Sequence, residues 1–197
     1  KSFANYWLHC AFLNINNQKM SKSLNNFFTV RDILDKYDAD ALRFLMLSGH
    51  YRVQMNFSLE LLDSATASME RLYNALNNLD HLYENTQKAS MDEEERKYLE
   101  SLDGYRQRYI EKMDDDFNTA DAITVLIDLA KDLNTNITID SSKELIKASG
   151  ELLRELGAPL GILQERKQQS LEEEVEKLIE ERQKARKERN WALADKI

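Results

Sequence analysis

The stretch SLELLDSATASMERLYNALNNLDHLY, residues 58–83, decides the fold class. Leu62, Ala65, Met69, Leu72, Leu76, Leu79 and Tyr83 recur at alternating spacings of three and four, which puts all seven on one face of a helix. Such a face must be covered by other helices, and three further stripes follow. Tyr98, Leu102, Tyr105, Tyr109 and Met113 form the second. Ala120, Ile123, Ile127, Ala130 and Leu133 form the third, and Leu145, Ala148, Leu152 and Leu156 the fourth, behind a Ser141-Ser142 cap and ahead of the breakers Gly157, Pro159 and Gly161. Four amphipathic helices in succession predict a bundle.

The rest of the composition agrees with a mainly α chain. One proline and five glycines in 197 residues are too few to punctuate a many-stranded sandwich or barrel, while 42% hydrophobic residues suffice for a sizeable core. Toward the N-terminus, Phe3 to Ile15 mixes aromatic and β-branched residues without a helical period and predicts one or two strands. A polar loop from Asn16 to Asn26 comes next. Thr29, with Asp32 three residues on, has the form of a helix cap, and a second short helix is expected from Asp40 through Leu47, ending near Gly49. Beyond the bundle, Gln164 to Ser170 reads as a linker, after which Leu171, Val175, Leu178 and Ile179 open a highly charged helix.

Compartment and partners are bounded by charge and cysteine count. No apolar run is long enough to span a bilayer and no targeting segment opens the chain, so no membrane partner is expected. The lone Cys10 can form no intrachain disulfide, which fits a reducing compartment, and the cytoplasm is the expected location. The glycosylation patterns at Asn56 and Asn136 are then coincidental. A net charge of −8 argues against a general nucleic-acid sponge, although Lys184, Arg186, Lys187 and Arg189 cluster after the acidic block Glu172, Glu173, Glu174 and Glu176. An opening lysine in place of methionine, and Ile197 ending the chain close behind Trp191, lead us to expect a piece cut from a longer protein.

The chemistry concentrates in Lys19-Met20-Ser21-Lys22-Ser23. Two ammonium groups supply mobile positive charge, small serines let backbone N–H groups approach an anion, and Met20 can anchor the loop; together these suit a developing pyrophosphate. Composition alone equally allows a solvated polar loop that holds two lysines. Other candidates are weaker. Cys10 beside His9 lacks two further ligands for a metal site and is expected to be a buried apolar thiol. His50 and His81 are expected to be structural or surface residues. Asp114, Asp115 and Asp116 lack the glycine turn and bidentate glutamate of a calcium loop, and are expected to complement the dipole of the helix that follows. Lys184, Arg186, Lys187 and Arg189 beside Trp191 could grip an RNA backbone and stack a loop base, or could form a solvated face paired with Glu180, Glu181 and Glu188.

Phe3-Ala4-Asn5-Tyr6-Trp7-Leu8-His9, Lys19-Met20-Ser21-Lys22-Ser23-Leu24 and Asn26-Phe27-Phe28-Thr29-Val30-Arg31-Asp32 resemble class I cysteinyl-tRNA synthetases. Arg43-Phe44, Ser48-Gly49-His50-Tyr51-Arg52, Asn56-Phe57-Ser58, Glu70-Arg71-Leu72-Tyr73 and Met113-Asp114-Asp115-Asp116-Phe117-Asn118-Thr119 continue the resemblance in the same order. The sequence departs from the family's pattern at Asn25, where glycine is common, and at Ala39 and Ala120, near which proline is common; these changes bear on turn stiffness rather than chemistry.

The resemblance implies three parts: residues 1–55, the end of a catalytic region with its signature loop and connecting helices; 56–163, a helical bundle; and 164–197, a linker and the start of an anticodon-binding region. It implies ATP with magnesium, L-cysteine and tRNA(Cys) as ligands of a monomeric longer protein. Lys22 and then Lys19 would be catalytic, with Met20, Ser21 and Ser23 completing the ATP-binding loop, and Lys184, Arg186, Lys187, Arg189 and Trp191 would touch tRNA. The family's His-Ile-Gly-His signature and its zinc site fall outside this sequence, so no metal ligand is expected in it, and the chain alone is expected to be inactive. Two other readings stay open: the related ligase that joins cysteine to a sugar amine, and a non-catalytic helical module that binds RNA or protein.

Overall fold

The computed structural model describes residues 3–15, 18–21 and 28–164. Its elements run β1 (Leu13–Ile15), β2 (Gln18–Lys19), α1 (Val30–Leu34), α2 (Ala39–Leu47), β3 (Met55–Phe57), α3 (Leu59–Asn85), α4 (Glu93–Asp114), α5 (Thr119–Asn136) and α6 (Lys143–Gly157), followed by a 3-10 turn at Ala158–Leu160. Among the described residues the protein is mainly α, with one small sheet near the N-terminal end.

Each helix starts where the local chemistry satisfies its first N–H groups. Thr29 and Asp32 form a reciprocal capping box on α1, and Asp92 and Glu95 form another on α4. Ser58, Asn118 and Ser142 accept from the third helical N–H of α3, α5 and α6. The α6 start is braced from outside as well. The Glu95 carboxylate accepts from the Ser142 N–H at 2.9 Å and from the Lys88 ammonium at 3.1 Å. Burial pushes that carboxyl up, but the Ser142 and Lys88 bonds outweigh it and hold the group below the usual range.

The sheet has the order β2-β1-β3. β1 and β2 form an antiparallel hairpin with Asn14 opposite Lys19, while β1 and β3 are parallel, with Leu13, Asn14 and Ile15 opposite Met55, Asn56 and Phe57. The stretch from Phe3 to Phe12 contributes no strand, although Ala11 donates to the Tyr51 carbonyl at 2.8 Å and the Phe12 carbonyl accepts from Met55 at 3.3 Å; the strand itself is Leu13–Ile15. Phe3, Tyr6, Trp7, Leu8 and Phe12 instead stand exposed. Cys10 is exposed too, contrary to the buried thiol expected from composition, because the irregular segment that carries it lies outside the helical core.

The core fills the space between α3, α4, α5 and α6. Leu62, Leu72, Leu102, Leu126, Leu129, Leu133 and Leu153 have essentially no exposure. Two stripe members face outward: Tyr83 is 41% exposed near the end of α3, and Ile127 is 42% exposed on α5. Polar bonds then fix how the helices meet. Tyr105 donates to Asp132 at 2.9 Å between α4 and α5, and the Arg106 guanidinium grips Glu155 on α6 through Nε and Nη2. This paired geometry is the kind of ion pair that contributes to order, unlike a single exposed contact.

Side-chain bonds from α2 help tie the sheet-bearing end to the bundle. Tyr73 of α3 donates to Asp40 of α2. Arg43 of α2 donates at 2.6 Å to the carbonyl of Gly161, whose left-handed backbone (φ 65°) suits a residue without a side chain and lets the guanidinium pack against it.

Candidate functional site

The signature loop begins on β2. Lys19 is the last residue of that strand, and its ammonium lies 4.5 Å from the centre of the Phe12 ring. A cation over an exposed ring gains about 0.5–1 kcal/mol. Met20 follows, and its N–H donates to the Leu13 carbonyl at 3.4 Å. Its side chain is partly buried against the core and lines an apolar cleft of about 250 Å³ with Leu13, Phe28, Ile33, Leu42 and Phe57. An apolar residue between two lysines thus ties the start of the loop to the sheet and to α1 and α2. Ser21 is the last described residue before Phe28; Lys22 and Ser23 lie outside the described residues.

Lys184, Arg186, Lys187, Arg189 and Trp191 also lie outside the described residues. Among the described residues, no three metal-ligating side chains stand close enough together to hold an ion. No helix there is long and apolar enough to cross a membrane.

A second constellation joins segments far apart in sequence. Asp116, in the turn between α4 and α5, accepts from the Tyr51 hydroxyl at 2.6 Å and from Arg52 at 2.6 Å through Nε and 3.1 Å through Nη2. His50 Nε2 lies 3.8 Å from the same carboxylate, and Thr119 donates at 2.8 Å to the Leu47 carbonyl. Asp116 is therefore a latch rather than a complement to the dipole of α5, whose first turn is capped by Asn118. Its left-handed backbone (φ 53°), followed by Phe117 (φ 55°), turns the carboxylate back toward Arg52. Nothing in the local sequence pairs residues 64 apart.

The latch has a pH signature. The Arg52 guanidinium, and then the Tyr51 hydroxyl, hold the Asp116 carboxyl below the usual aspartate range. A carboxylate depressed in the folded state stabilises it above the ordinary pKa of about 3.9, and that contribution disappears as pH falls through the lowered value. In an NMR titration of the side-chain carboxyl, Asp116 should titrate below that range and move back toward it in Arg52→Ala. An unmoved midpoint in the variant would show that the bond is not made in solution.

Residues 1–67 match the family of tRNA synthetases class I (C) catalytic domain, and residues 108–164 match the DALR domain. The chain is thus similar, in order, to part of a class I tRNA synthetase catalytic domain over its first third and to a DALR domain over residues 108–164. Among solved structures it is similar to the LeuRS of Agrobacterium radiobacter, crystallised in a ternary complex with tRNA and LeuAMS. That likeness has a TM-score of 0.61 at 19% identity and covers 77% of this chain but 20% of the LeuRS chain, so it speaks to fold. The latch then acquires a place: Tyr51 and Arg52 lie in the first matched segment and Asp116 in the second.

Proposed function

We propose that this chain is part of a cysteine–tRNA ligase. The longer protein would activate cysteine with ATP and transfer it to the terminal ribose of tRNA(Cys). One observation carries the reading: Lys19-Met20-Ser21-Lys22-Ser23 sits in a class I catalytic segment, and Met20 ties its start to the sheet.

In activation, the cysteine carboxylate attacks the α-phosphorus of ATP. The bond from that phosphorus to the bridging oxygen breaks, and pyrophosphate leaves with the electron pair. Negative charge grows on the departing oxygens, so ammonium groups held there stabilise the transition state more than the ground state. Lys22 takes that role and Lys19 assists it, with the small residues Ser21 and Ser23 keeping the backbone close to the phosphates. Magnesium bound with ATP would supply further charge neutralisation. Zinc in the longer protein would be held by residues outside this sequence.

The exposed surface of Phe3, Tyr6, Trp7, Leu8 and Phe12 supports packing against a further catalytic part, without which the chain alone would not activate cysteine. Lys184, Arg186, Lys187, Arg189 and Trp191 would touch tRNA, and the protein would act as a cytoplasmic monomer. The related ligase that joins cysteine to a sugar amine shares this chemistry, and tRNA separates the two. The complete protein should charge tRNA(Cys) with cysteine and reject other amino acids. Charging with a different amino acid, or cysteine transfer to an amino sugar without tRNA charging, would overturn the proposal.

A further inference from the structure

We infer that Asp116, in the turn after α4, is a positioning residue for the ammonium of Lys19, acting through the Tyr51 backbone and the Phe12 ring. This role rests on the proposed activation of cysteine and gives the helical domain a part in its ATP step.

A short chain of contacts joins the two residues. The Asp116 carboxylate accepts from the Tyr51 hydroxyl at 2.6 Å, and the Tyr51 carbonyl accepts from the Ala11 N–H at 2.8 Å. One residue on, the Phe12 carbonyl accepts from the Met55 N–H at 3.3 Å, and the Phe12 ring lies 4.5 Å from the Lys19 ammonium. The turn in the middle is braced within itself. The Val53 N–H donates to the His50 carbonyl at 2.9 Å, the Arg52 N–H donates to His50 Nδ1 at 3.2 Å, and the His50 and Tyr51 rings stack at 4.9 Å. A hold on Tyr51 and Arg52 therefore carries to Ala11 and Phe12 instead of being absorbed on the way.

The turn that carries Asp116 is shaped for its side chain. The N–H groups of Phe117 and Asn118 close α4 by donating to the Met113 and Lys112 carbonyls, and a left-handed residue at such a helix end is ordinarily glycine. Here Asp116 (φ 53°) and Phe117 (φ 55°) both take that conformation, which is costly for a bulky residue. Phe117 gains no burial in return, being 54% exposed. Such backbone persists where its surroundings hold it, and the bonds from Tyr51 and Arg52 to Asp116, with that of Thr119 to the Leu47 carbonyl, supply the hold. Glycine would close the helix as well; reaching Tyr51 and Arg52 requires the carboxylate.

The far end of the chain meets the chemistry. The Phe12 ring is exposed, so no core packing fixes it, and the backbone bonds of Ala11 and Phe12 to the 51–55 segment set where it stands. Fixing that ring fixes the approach of Lys19 to the departing pyrophosphate, and a misplacement of about 1 Å in a reacting group can cost up to about 100-fold.

The test is a double-mutant cycle on cysteine-dependent ATP–pyrophosphate exchange by the complete protein, paired with backbone amide NMR of the 197-residue chain. Asp116→Gly suits the left-handed turn and removes the carboxylate; it should lower kcat by about tenfold, and by no more than Lys19→Ala does, with KM for cysteine unchanged. In the Lys19→Ala background it should cost less than about twofold, because the ammonium it positions is gone. Asp116→Asn, isosteric and with one acceptor oxygen left, should fall between Asp116→Gly and wild type. In the spectra, Asp116→Gly should shift the amides of Ala11, Phe12 and Lys19, whereas Arg43→Ala, which cuts a different bond to the bundle, should leave those three in place. Losses that multiply, wild-type exchange in Asp116→Gly, or shifts confined to the neighbours of Asp116 would each overturn the inference. Exchange driven by a different amino acid refutes the cysteine reading alone, and the same cycle run on that exchange then decides the positioning role.

Discussion

Lys22→Ala in the complete protein should slow cysteine-dependent ATP–pyrophosphate exchange by about 100- to 1000-fold at saturating substrates. A donor aimed at charge that develops in the transition state is typically worth about 2.7–4 kcal/mol when removed, which corresponds to that loss in kcat. The effect should appear chiefly in kcat, because the lysine meets charge that grows as pyrophosphate departs. Lys19→Ala should cost less: its ammonium already has a neighbour in the Phe12 ring, and it stands at the strand end rather than further into the loop. Removing both should cost less than the product of the two losses, since they act on the same leaving group. An exchange rate unchanged by Lys22→Ala would mean that the loop is a solvated turn.

The second large effect concerns the fold. Leu126→Ala should destabilise the chain by about 2–5 kcal/mol, the range for a fully buried leucine whose cavity cannot collapse. Leu126 has no exposed surface and sits on α5, which packs against α3, α4 and α6. Its neighbour in sequence is an internal control. Ile127 is 42% exposed, so Ile127→Ala should stay within about 0.5 kcal/mol. Urea unfolding followed by far-ultraviolet circular dichroism measures both, with the slope unchanged if the denatured state is the same. Equal costs for adjacent residues would contradict the burial of one and the exposure of the other.

The contrast between those two residues also shows what the sequence could and could not reveal. Helical periodicity identifies a face, and Leu62, Met69, Leu72, Leu76 and Leu79 do line the core. It does not say where the face ends, which depends on how far neighbouring helices reach; Tyr83 and Ile127 fit the period and yet stand largely uncovered. Caps are legible because they are local: Thr29 with Asp32, and Ser142 ahead of Leu145, need only residues three apart. Pairings that cross the chain leave no local trace. Met55–Phe57 carries no pattern that assigns it to Leu13–Ile15, and Asp116 sits in an acidic run whose simplest local account is a helix dipole.

Cys10 failed for a related reason. Cysteine is often buried, but its burial depends on whether the segment around it is covered, and Phe3, Tyr6, Trp7, Leu8 and Phe12 around Cys10 are all exposed. At the candidate site, the residue types of the loop were readable and so was the chemistry they suit. The tether was less so: that Met20 reaches a cleft shared by the sheet, α1 and α2 depends on packing between elements.

Loop, latch and bundle meet in one physical picture. Met20 holds the start of the cationic loop to the sheet, while Arg43 and Arg52 fasten the sheet-bearing end to the helical domain through Gly161 and Asp116. Such fastening would keep a loop that meets ATP in register with a domain that meets tRNA. The direct measurement is the position of the two lysines in a crystal structure of the complete protein with a non-hydrolysable ATP analogue and cysteine. The Lys22 ammonium, and that of Lys19 beside it, should lie about 3 Å from phosphoryl oxygens. Both ammonium groups remote from every phosphoryl oxygen would contradict it.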